Sequence, residues 1–365
     1  MVKRNILLNP GPGTTTDTVK QALVVPDICP RERDFGEVAL EVERKLVRVV
    51  EGGESYTAVM LAGSGTAAME AALISALGPE DKILIVDNGA YGRRARQIAE
   101  IHGLPHVAYE LAWGDSPDIE AARRILERDG NVTHFFLVHH ETTTGMLNPL
   151  PEFLELGREF GLISIVDAIS SYAGLPIDLR AMPVDYLLSS ANKCIQGMAG
   201  LSFVISRKDS LAKTKDYPKR SLYLDLYHAD RHLRGTGQFP FTPPVQVMYA
   251  LRQALDEFFA EGQEARTRRY VRCYEELMKG LAETGLECLL PARQHSKLLT
   301  AVLEPQVPGY SFMDFHDHCY RRGVTIYPGK AAKKDTFRVA NIGAIDYRDM
   351  RVFNGLMKEY FGRIL

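Results

Sequence analysis

The chain has 365 residues, 45% of them hydrophobic, and its 44 basic side chains nearly balance its 46 acidic ones. Because there is no excess of either charge and no long block of one sign, nucleic acids and anionic membranes are not expected partners. No apolar run reaches the about 18 residues of a membrane span, and the apolar stretch at 6–8 is too short for a signal peptide. The five cysteines lack paired spacing, which predicts a reduced, cytoplasmic protein without a structural metal site.

The first informative segment is a predicted strand over 57–61 that leads through a glycine-rich turn into a helical pattern over 67–73. The turn contains Ser64, Gly65 and Thr66. Small residues and a hydroxyl at a helix N-terminus leave main-chain N–H groups free to bind a phosphate. Such a turn is not specific by itself, so its meaning depends on residues later in the chain.

Short apolar runs alternate with longer helical patterns along the next part of the chain. This alternation is typical of an α/β fold with a mainly parallel sheet, in which ligands bind beyond the carboxyl ends of the strands. The predicted strands of this sheet are 57–61, 83–86, 134–138, 163–166, 184–188 and 201–205.

Two ionisable residues follow strands of the predicted sheet. Asp167 comes directly after 163–166, and Lys193 lies in a polar segment after 184–188. Either residue alone has a plain structural explanation, since an aspartate can cap a helix and a lysine can be solvated. With a phosphate-binding turn at the same sheet edge, the pair matches the needs of pyridoxal phosphate. A desolvated lysine amine can form a Schiff base with the cofactor, and a carboxylate can keep the pyridine nitrogen protonated.

The pattern changes after 241–244, where a long helical periodicity over 245–284 precedes a smaller α+β unit. The predicted strands of that unit are 298–303, 324–327 and 336–340. The predicted division is an N-terminal arm over 1–15, a large cofactor-binding domain over 16–244, and a linking helix with a small C-terminal domain over 245–365.

Arg338 interrupts the last of these apolar strands. An arginine that faces a cleft presents a planar fork suited to a carboxylate or a phosphonate, whereas one on an outer sheet face has no such role. With a cofactor site in the same chain, we interpret Arg338 as a substrate anchor.

Several segments together resemble the class V, fold-type I aminotransferases, which depend on pyridoxal phosphate. The similarity runs nearly end to end, and the segment 190–197, with the sequence SANKCIQG, is its most specific part. The other segments that carry the resemblance are 63–66, 88–92, 141–145, 166–168, 241–242 and 337–343.

The resemblance implies a role for each matching residue. Lys193 would be the Schiff-base lysine that also carries the proton, Asp167 would hold the pyridine nitrogen, and Arg338 would bind the carboxylate or the phosphonate of the substrate. Thr242 would reach the phosphate of the neighbouring subunit's cofactor, which implies a homodimer with active sites at the interface. The other residues implied to bind the cofactor are Ser64, Gly65, Thr66, Tyr91, Thr143 and Ser190.

The implied activity is a ping-pong transamination. Within the family, the similarity is greatest to members that convert 2-aminoethylphosphonate and pyruvate to phosphonoacetaldehyde and L-alanine. A transaminase of the alanine:glyoxylate or serine:pyruvate type would use the same cofactor residues and stays open. So does a catalytically silent protein of the same fold, against which intact Lys193, Asp167 and Arg338 argue. A cysteine desulfurase is disfavoured, because no cysteine lies in an evident exposed catalytic loop.

Arg31 and Arg33 depart from the pattern of the better-known degradative members. They either favour a dianionic phosphonate at the entrance or pair at the surface with Glu32 and Asp34. The sequence therefore leaves open the direction of the reaction and the preferred keto acid, and it does not assign a role to Lys330.

Overall fold

The structure, a computed structural model, describes residues 4–329 and 334–364. The helices are α1 (Asp17–Gln21), α2 (Arg33–Val49), α3 (Gly65–Ala76), α4 (Ala90–Ile101), α5 (Ile119–Arg128), α6 (Leu150–Phe160), α7 (Lys208–Lys213), α8 (Leu226–Thr236), α9 (Val245–Glu261), α10 (Gln263–Thr284), α11 (Phe312–Tyr320) and α12 (Tyr347–Phe361). The strands are β1 (Ile6–Leu7), β2 (Tyr56–Ala62), β3 (Ile83–Asp87), β4 (His106–Glu110), β5 (His134–Val138), β6 (His140–Glu141), β7 (Met146–Leu147), β8 (Ile163–Asp167), β9 (Tyr186–Ser190), β10 (Leu201–Arg207), β11 (Leu299–Leu303), β12 (Val324–Thr325), β13 (Tyr327–Pro328) and β14 (Thr336–Ala340).

A seven-stranded sheet with the order β2-β10-β9-β8-β5-β3-β4 forms the centre of the fold. Strand β10 runs antiparallel to both of its neighbours, and the other adjacent pairs are parallel. The predicted α/β fold with a mainly parallel sheet is therefore confirmed. All residues of β3 and β5 are buried, as expected for parallel strands that are covered on both faces.

Each face of the sheet has its own hydrophobic core. Along β2, Ala58 and Met60 pack with α2 and α9, whereas Val59 and Leu61 pack with α3 and α4. This alternation follows from the period of two in a strand, which sends successive side chains to opposite faces.

Two features of the sheet differ from the sequence-based prediction. Strand β4 was not predicted, because it lies at the sheet edge and most of its residues are only half-buried. Strand β9 begins two residues after the predicted start, because Asp185 lies before the strand. There its carboxylate accepts hydrogen bonds from the Ser164 N–H and hydroxyl, both at 3.0 Å.

The carboxyl ends of β2, β8 and β9 lie at the same edge of the sheet. Strand β9 is parallel to β8, and β2 has the same direction because β10 is antiparallel to both β2 and β9. The turn at Ser64, the carboxylate of Asp167 and the segment that contains Lys193 therefore emerge on one side.

The C-terminal part forms a second, smaller unit around the antiparallel sheet β11-β14-β13. Its core is formed with α10, α11 and α12 and includes Leu8 from the N-terminal segment. Strand β1 pairs in parallel with β12, which ties the N-terminus to this unit. The helical region over 245–284 is interrupted at Gly262, whose φ of 81° is not helical, so it forms two helices. The exact domain boundaries remain a prediction.

Among the helices that the structure describes, none has the length and apolar character needed to cross a bilayer.

Candidate active site

The N-terminus of α3 lies at the carboxyl edge of the central sheet. Ser64 is the N-cap residue and Gly65 the first helical residue, and no side chain of the cap is bonded to the helix end. The first N–H groups of a helix have no partner within the helix, so they are available to an anion. A Cβ atom on Gly65 would lie 2.7 Å from Cδ1 of Ile169, so glycine allows this helix end to approach the end of β8 closely.

Lys193 lies in the turn after β9, and its side chain is half-buried. The amine donates a hydrogen bond of 2.6 Å to the carbonyl oxygen of Pro10. Burial disfavours the charged ammonium and lowers the pKa of Lys193 to about 8, which the neighbouring Cys194 and Asp167 oppose in part. About a tenth of the amine is therefore unprotonated at pH 7, far more than at an ordinary lysine, and can act as a nucleophile.

Asp167 is the last residue of β8 and is 3% exposed. Its Oδ1 atom accepts a hydrogen bond of 2.8 Å from the N–H of Ile169. Burial raises the pKa of Asp167 to about 7, and Glu141 adds to the rise, whereas the Ile169 N–H and Lys193 oppose it. A buried carboxylate of this kind is stabilised by a cationic N–H donor, which a protonated pyridine nitrogen provides.

Tyr91 and Arg94 lie on the first turns of α4. The Arg94 guanidinium carbon is 4.9 Å from the centre of the Tyr91 ring, and its Nη1 donates to the Thr66 hydroxyl at 3.1 Å. Arg94 thus brings a positive charge to the N-terminus of α3. Arg94 does not stand out in the sequence, although its i+3 spacing from Tyr91 could have indicated a shared helix face.

The segment after β5 brings Thr143 to the N-terminus of α4. The Thr143 hydroxyl donates to Oε1 of Glu141 at 2.6 Å and accepts the N–H of Ala90 at 2.9 Å. Glu141 itself is fully buried. Burial raises the pKa of Glu141, and the hydroxyl and N–H groups that donate to it oppose the rise. In the sequence, Glu141 belongs to the 141–145 segment, but no role is predicted for it. The role of its carboxylate depends on contacts between distant segments.

Arg338 lies on β14 and is 3% exposed. Its Nε donates to the Pro328 carbonyl at 3.0 Å, and its Nη1 donates to the Thr142 carbonyl at 3.3 Å. Burial lowers the pKa of Arg338, and the nearby Tyr91 and Glu141 oppose this shift. The guanidinium therefore points from the small sheet towards the 141–145 segment, and a position on an outer sheet face is ruled out.

Two other predicted cofactor residues differ in their surroundings. Ser190 is buried, and its hydroxyl donates to Oδ1 of Asn192 at 2.9 Å. Thr242 is exposed, and it follows Phe241, whose ring is 5.1 Å from that of Tyr223. Within the parts of the chain that the structure describes, no hydrogen bond joins Thr242 to the residues at the sheet edge.

The two arginines near the N-terminus have separate environments. Arg31 donates to the carbonyl oxygen of Phe239. Arg33 forms an ion pair of 2.9 Å with Glu37, and both side chains are exposed. Of the two alternatives that the sequence leaves open, Arg33 has the surface position, but its partner is Glu37, four residues later on the same helix, and not Glu32 or Asp34. Lys330 lies outside the described residues.

Together these groups fit pyridoxal phosphate. The helix end at Ser64 provides N–H donors for a phosphate, and Gly65 leaves no side chain in the way. Lys193 provides an amine with a pKa near neutral, and Asp167 provides a buried carboxylate at the end of a neighbouring strand.

Comparisons with known proteins agree with this geometry. The family model described as Aminotransferase class-V matches residues 31–345. Proteins named 2-aminoethylphosphonate–pyruvate transaminase from Salmonella heidelberg and Salmonella typhimurium are each 43% identical over 96% of this chain and 96% of theirs.

Solved structures show the same architecture. An alanine–glyoxylate aminotransferase from Nostoc sp. superposes with a TM-score of 0.91 at 26% identity, covering 98% of this chain and 96% of that one. An aspartate aminotransferase from Thermus thermophilus superposes with a TM-score of 0.88 at 26% identity, covering 98% and 99%. The predicted fold of the fold-type I aminotransferases is confirmed. The chain belongs to the class V aminotransferase family.

Proposed function

We propose that this protein is a pyridoxal-phosphate-dependent aminotransferase that converts 2-aminoethylphosphonate and pyruvate to phosphonoacetaldehyde and L-alanine, and the reverse. The cofactor chemistry rests on one observation, the meeting of Lys193, Asp167 and the N-terminus of α3 at one edge of the sheet. The choice of substrates is supported by the relatives of that name, which are 43% identical over 96% of the chain.

The bound cofactor would supply an aldehyde that links to amines and a ring that accepts the electrons released when a proton leaves the substrate. Ser64, Gly65 and Thr66 would hold its phosphate with the N–H groups of α3. Tyr91 would stack on its ring, Thr143 would lie near the ring oxygen, and Ser190 would complete its surroundings. The residues Asp167 and Lys193 would hold its nitrogen and its aldehyde.

Lys193 has two tasks in this mechanism. Its amine would hold the cofactor aldehyde, and once a substrate amine has taken that place, it would remove the proton from the substrate carbon that bears the nitrogen. The same amine would deliver that proton to the cofactor carbon that carried the aldehyde, so Lys193 would end the half-reaction in the protonation state in which it began. The pKa of about 8 supports this use, because the amine exchanges its proton readily near neutral pH. Asp167 would stabilise the positive charge on the ring nitrogen throughout.

Arg338 would anchor both substrates in turn. A guanidinium forms paired hydrogen bonds with a carboxylate or a phosphonate, so one side chain can hold pyruvate, alanine or 2-aminoethylphosphonate. The Pro328 and Thr142 carbonyls occupy two of its five donors and orient the rest.

We further propose a cytoplasmic homodimer with active sites at the subunit interface. Thr242 would reach the phosphate of the neighbouring subunit's cofactor, which is in keeping with its exposure in a single chain. A hybrid dimer made from Lys193→Ala and Thr242→Ala subunits tests this arrangement, because it would contain one site with both residues. Cofactor affinity at that one site should equal that of the unmodified protein. A monomer in sedimentation experiments would refute this part of the proposal.

An alanine–glyoxylate transaminase is the second candidate, since the Nostoc enzyme of that name superposes with a TM-score of 0.91. The two activities are separated by the absorption spectrum of the purified protein. 2-Aminoethylphosphonate and L-alanine are added to separate samples without a keto acid. Loss of the yellow band with both amines supports the proposed function, and loss with alanine alone supports the second candidate. A protein that acquires no yellow band with pyridoxal phosphate would refute both.

A further inference from the structure

Glu141 is a buried carboxylate to which neither the resemblance nor the proposed mechanism gives a role. We propose that Glu141 is a positioning residue that holds Tyr91 and Thr143 in place for the cofactor. This inference rests on the proposed function only in so far as the bound group is pyridoxal phosphate.

The carboxylate of Glu141 joins two segments that are far apart in the chain. Its Oε1 accepts the N–H of Thr143 at 2.9 Å and the Thr143 hydroxyl at 2.6 Å. Its Oε2 accepts the N–H of Tyr91 at 3.2 Å. Tyr91 and Thr143, which would both lie against the cofactor ring, are thus bonded to the same side chain.

Glu141 also takes the place of a missing helix cap. The N-cap residue of α4 is Gly89, which has no side chain to accept the first N–H groups of the helix. The Glu141 carboxylate accepts one of them, and the Thr143 hydroxyl accepts another from Ala90. A negative charge at a helix N-terminus is also favoured by the helix dipole. The direction of α4, and with it the position of Tyr91, therefore depends on a residue from the segment after β5.

Gly89 makes room for this contact. A Cβ atom at that position would lie 2.2 Å from Cδ of Glu141. The φ angle of Gly89 is −178°, which is extended backbone that any residue can adopt, so space alone restricts this position. An alanine at position 89 would therefore displace the Glu141 carboxylate without removing it.

The same segment reaches the substrate anchor. Thr142, between Glu141 and Thr143, accepts a hydrogen bond from Arg338 at 3.3 Å. A shift of Glu141 would accordingly move groups on the cofactor side and on the substrate side together.

The test measures cofactor binding rather than turnover. Glu141→Gln keeps the shape of the side chain but replaces one acceptor oxygen with an NH2 group. That NH2 donor would then face the N–H or O–H donors that the carboxylate oxygen accepts in the unmodified protein. We expect the dissociation constant for pyridoxal phosphate, titrated into cofactor-free protein, to rise about tenfold or more. We also expect the absorption band of the bound cofactor to shift, because Tyr91 and Thr143 no longer fix the ring.

Glu43→Gln is the matched control. Glu43 is 6% exposed and accepts the Ala58 N–H at 3.1 Å and the Thr57 hydroxyl at 3.2 Å, and it also pairs with Arg234 at 2.9 Å. These contacts lie near the amino end of β2, opposite the edge that carries Ser64. The Glu43 variant should lower the melting temperature of the cofactor-free protein and leave the cofactor dissociation constant within about twofold.

Gly89→Ala is the second variant. It tests the positioning role of Glu141 even if Glu141→Gln does not fold. Its control is Gly130→Ala, since a Cβ atom at Gly130 meets nothing within 4 Å. We expect weaker cofactor binding for the Gly89 variant and unchanged binding for the Gly130 variant.

Cofactor binding within about twofold of the unmodified protein in both the Glu141 and the Gly89 variants, with only a lower melting temperature, would overturn the positioning role. Failure of the unmodified protein to bind pyridoxal phosphate would instead refute the proposed function, and this inference with it.

Discussion

The amine of Lys193 lies 2.6 Å from the carbonyl oxygen of Pro10, to which it donates a hydrogen bond. The next residue, Gly11, has a φ of 134°, and a Cβ atom there would lie 2.2 Å from the Lys193 Nζ. The N-terminal segment thus packs directly against the lysine that we propose to bind the cofactor. Because β1 of this segment pairs with β12, the small C-terminal unit also helps to hold the N-terminal segment in position.

Replacing Gly11 with alanine should disturb this contact. The added methyl group competes with the lysine amine for space, and alanine also disfavours the backbone angle. We expect slower capture of pyridoxal phosphate by the cofactor-free protein and a lower melting temperature, measured by stopped-flow absorbance and thermal unfolding. Gly235→Ala, at a position where a Cβ atom meets nothing within 4 Å, should leave the capture rate unchanged.

Lys193→Ala should abolish multiple-turnover transamination, because no other group in the proposed mechanism carries the proton. The variant should still fold, since a buried amine with a lowered pKa makes no favourable net contribution to folding near neutral pH. Circular dichroism and thermal unfolding check the fold, and a coupled assay checks turnover. Sustained turnover by the variant would contradict the assignment of Lys193.

Asp167→Asn should reduce transamination by roughly a hundredfold or more, because the amide cannot stabilise a protonated ring nitrogen. In the cofactor-free protein the same change should increase stability at pH 8. The folded-state pKa is raised from 3.8 to about 7, so the folded state holds an extra proton within that window and its stability falls as the pH rises through it. The difference in melting temperature between the variant and the unmodified protein should therefore shrink towards pH 4. A stability difference that does not depend on pH would contradict the raised pKa.

The capture of pyridoxal phosphate by cofactor-free protein should accelerate with pH and level off above pH 8. Only the unprotonated amine attacks the aldehyde, and burial lowers the pKa of Lys193 to about 8. The rate at pH 9 should exceed that at pH 6.5 by roughly thirtyfold. A rate that keeps rising tenfold per pH unit up to pH 9 would show that the amine keeps its ordinary pKa.

Arg338→Ala should impair both half-reactions, by roughly tenfold to a hundredfold in kcat/KM for each, because one guanidinium is proposed to anchor both substrates. Arg338→Lys keeps the charge but not the planar fork, and it should recover only part of the loss. Single-turnover measurements with 2-aminoethylphosphonate and with pyruvate separate the two half-reactions. A loss confined to one of them would show that a different residue anchors the other substrate.

How much the sequence predicts differs between the parts of the molecule. The parallel strands were predictable because they are buried on both faces and therefore apolar throughout, as in β3 and β5. The half-buried edge strand β4 and the reversed direction of β10 could not be predicted, because neither feature leaves a clear local pattern in the sequence. The sequence left the role of Arg33 open, and its partner in the structure is Glu37, which helical spacing rather than adjacency selects.

The sequence by itself determined the family, the fold class and the candidate residues Lys193, Asp167 and Arg338, because strand ends and glycine-rich turns are local features of the chain. Only the tertiary structure decided how Glu141 bonds to Tyr91 and how Pro10 contacts Lys193. These contacts join residues about 50 and about 180 positions apart, and such distances are closed by the packing of the sheet and not by any local pattern. The tertiary structure also decided the pKa values of Lys193 and Asp167, since they result from burial that exists only in the folded chain.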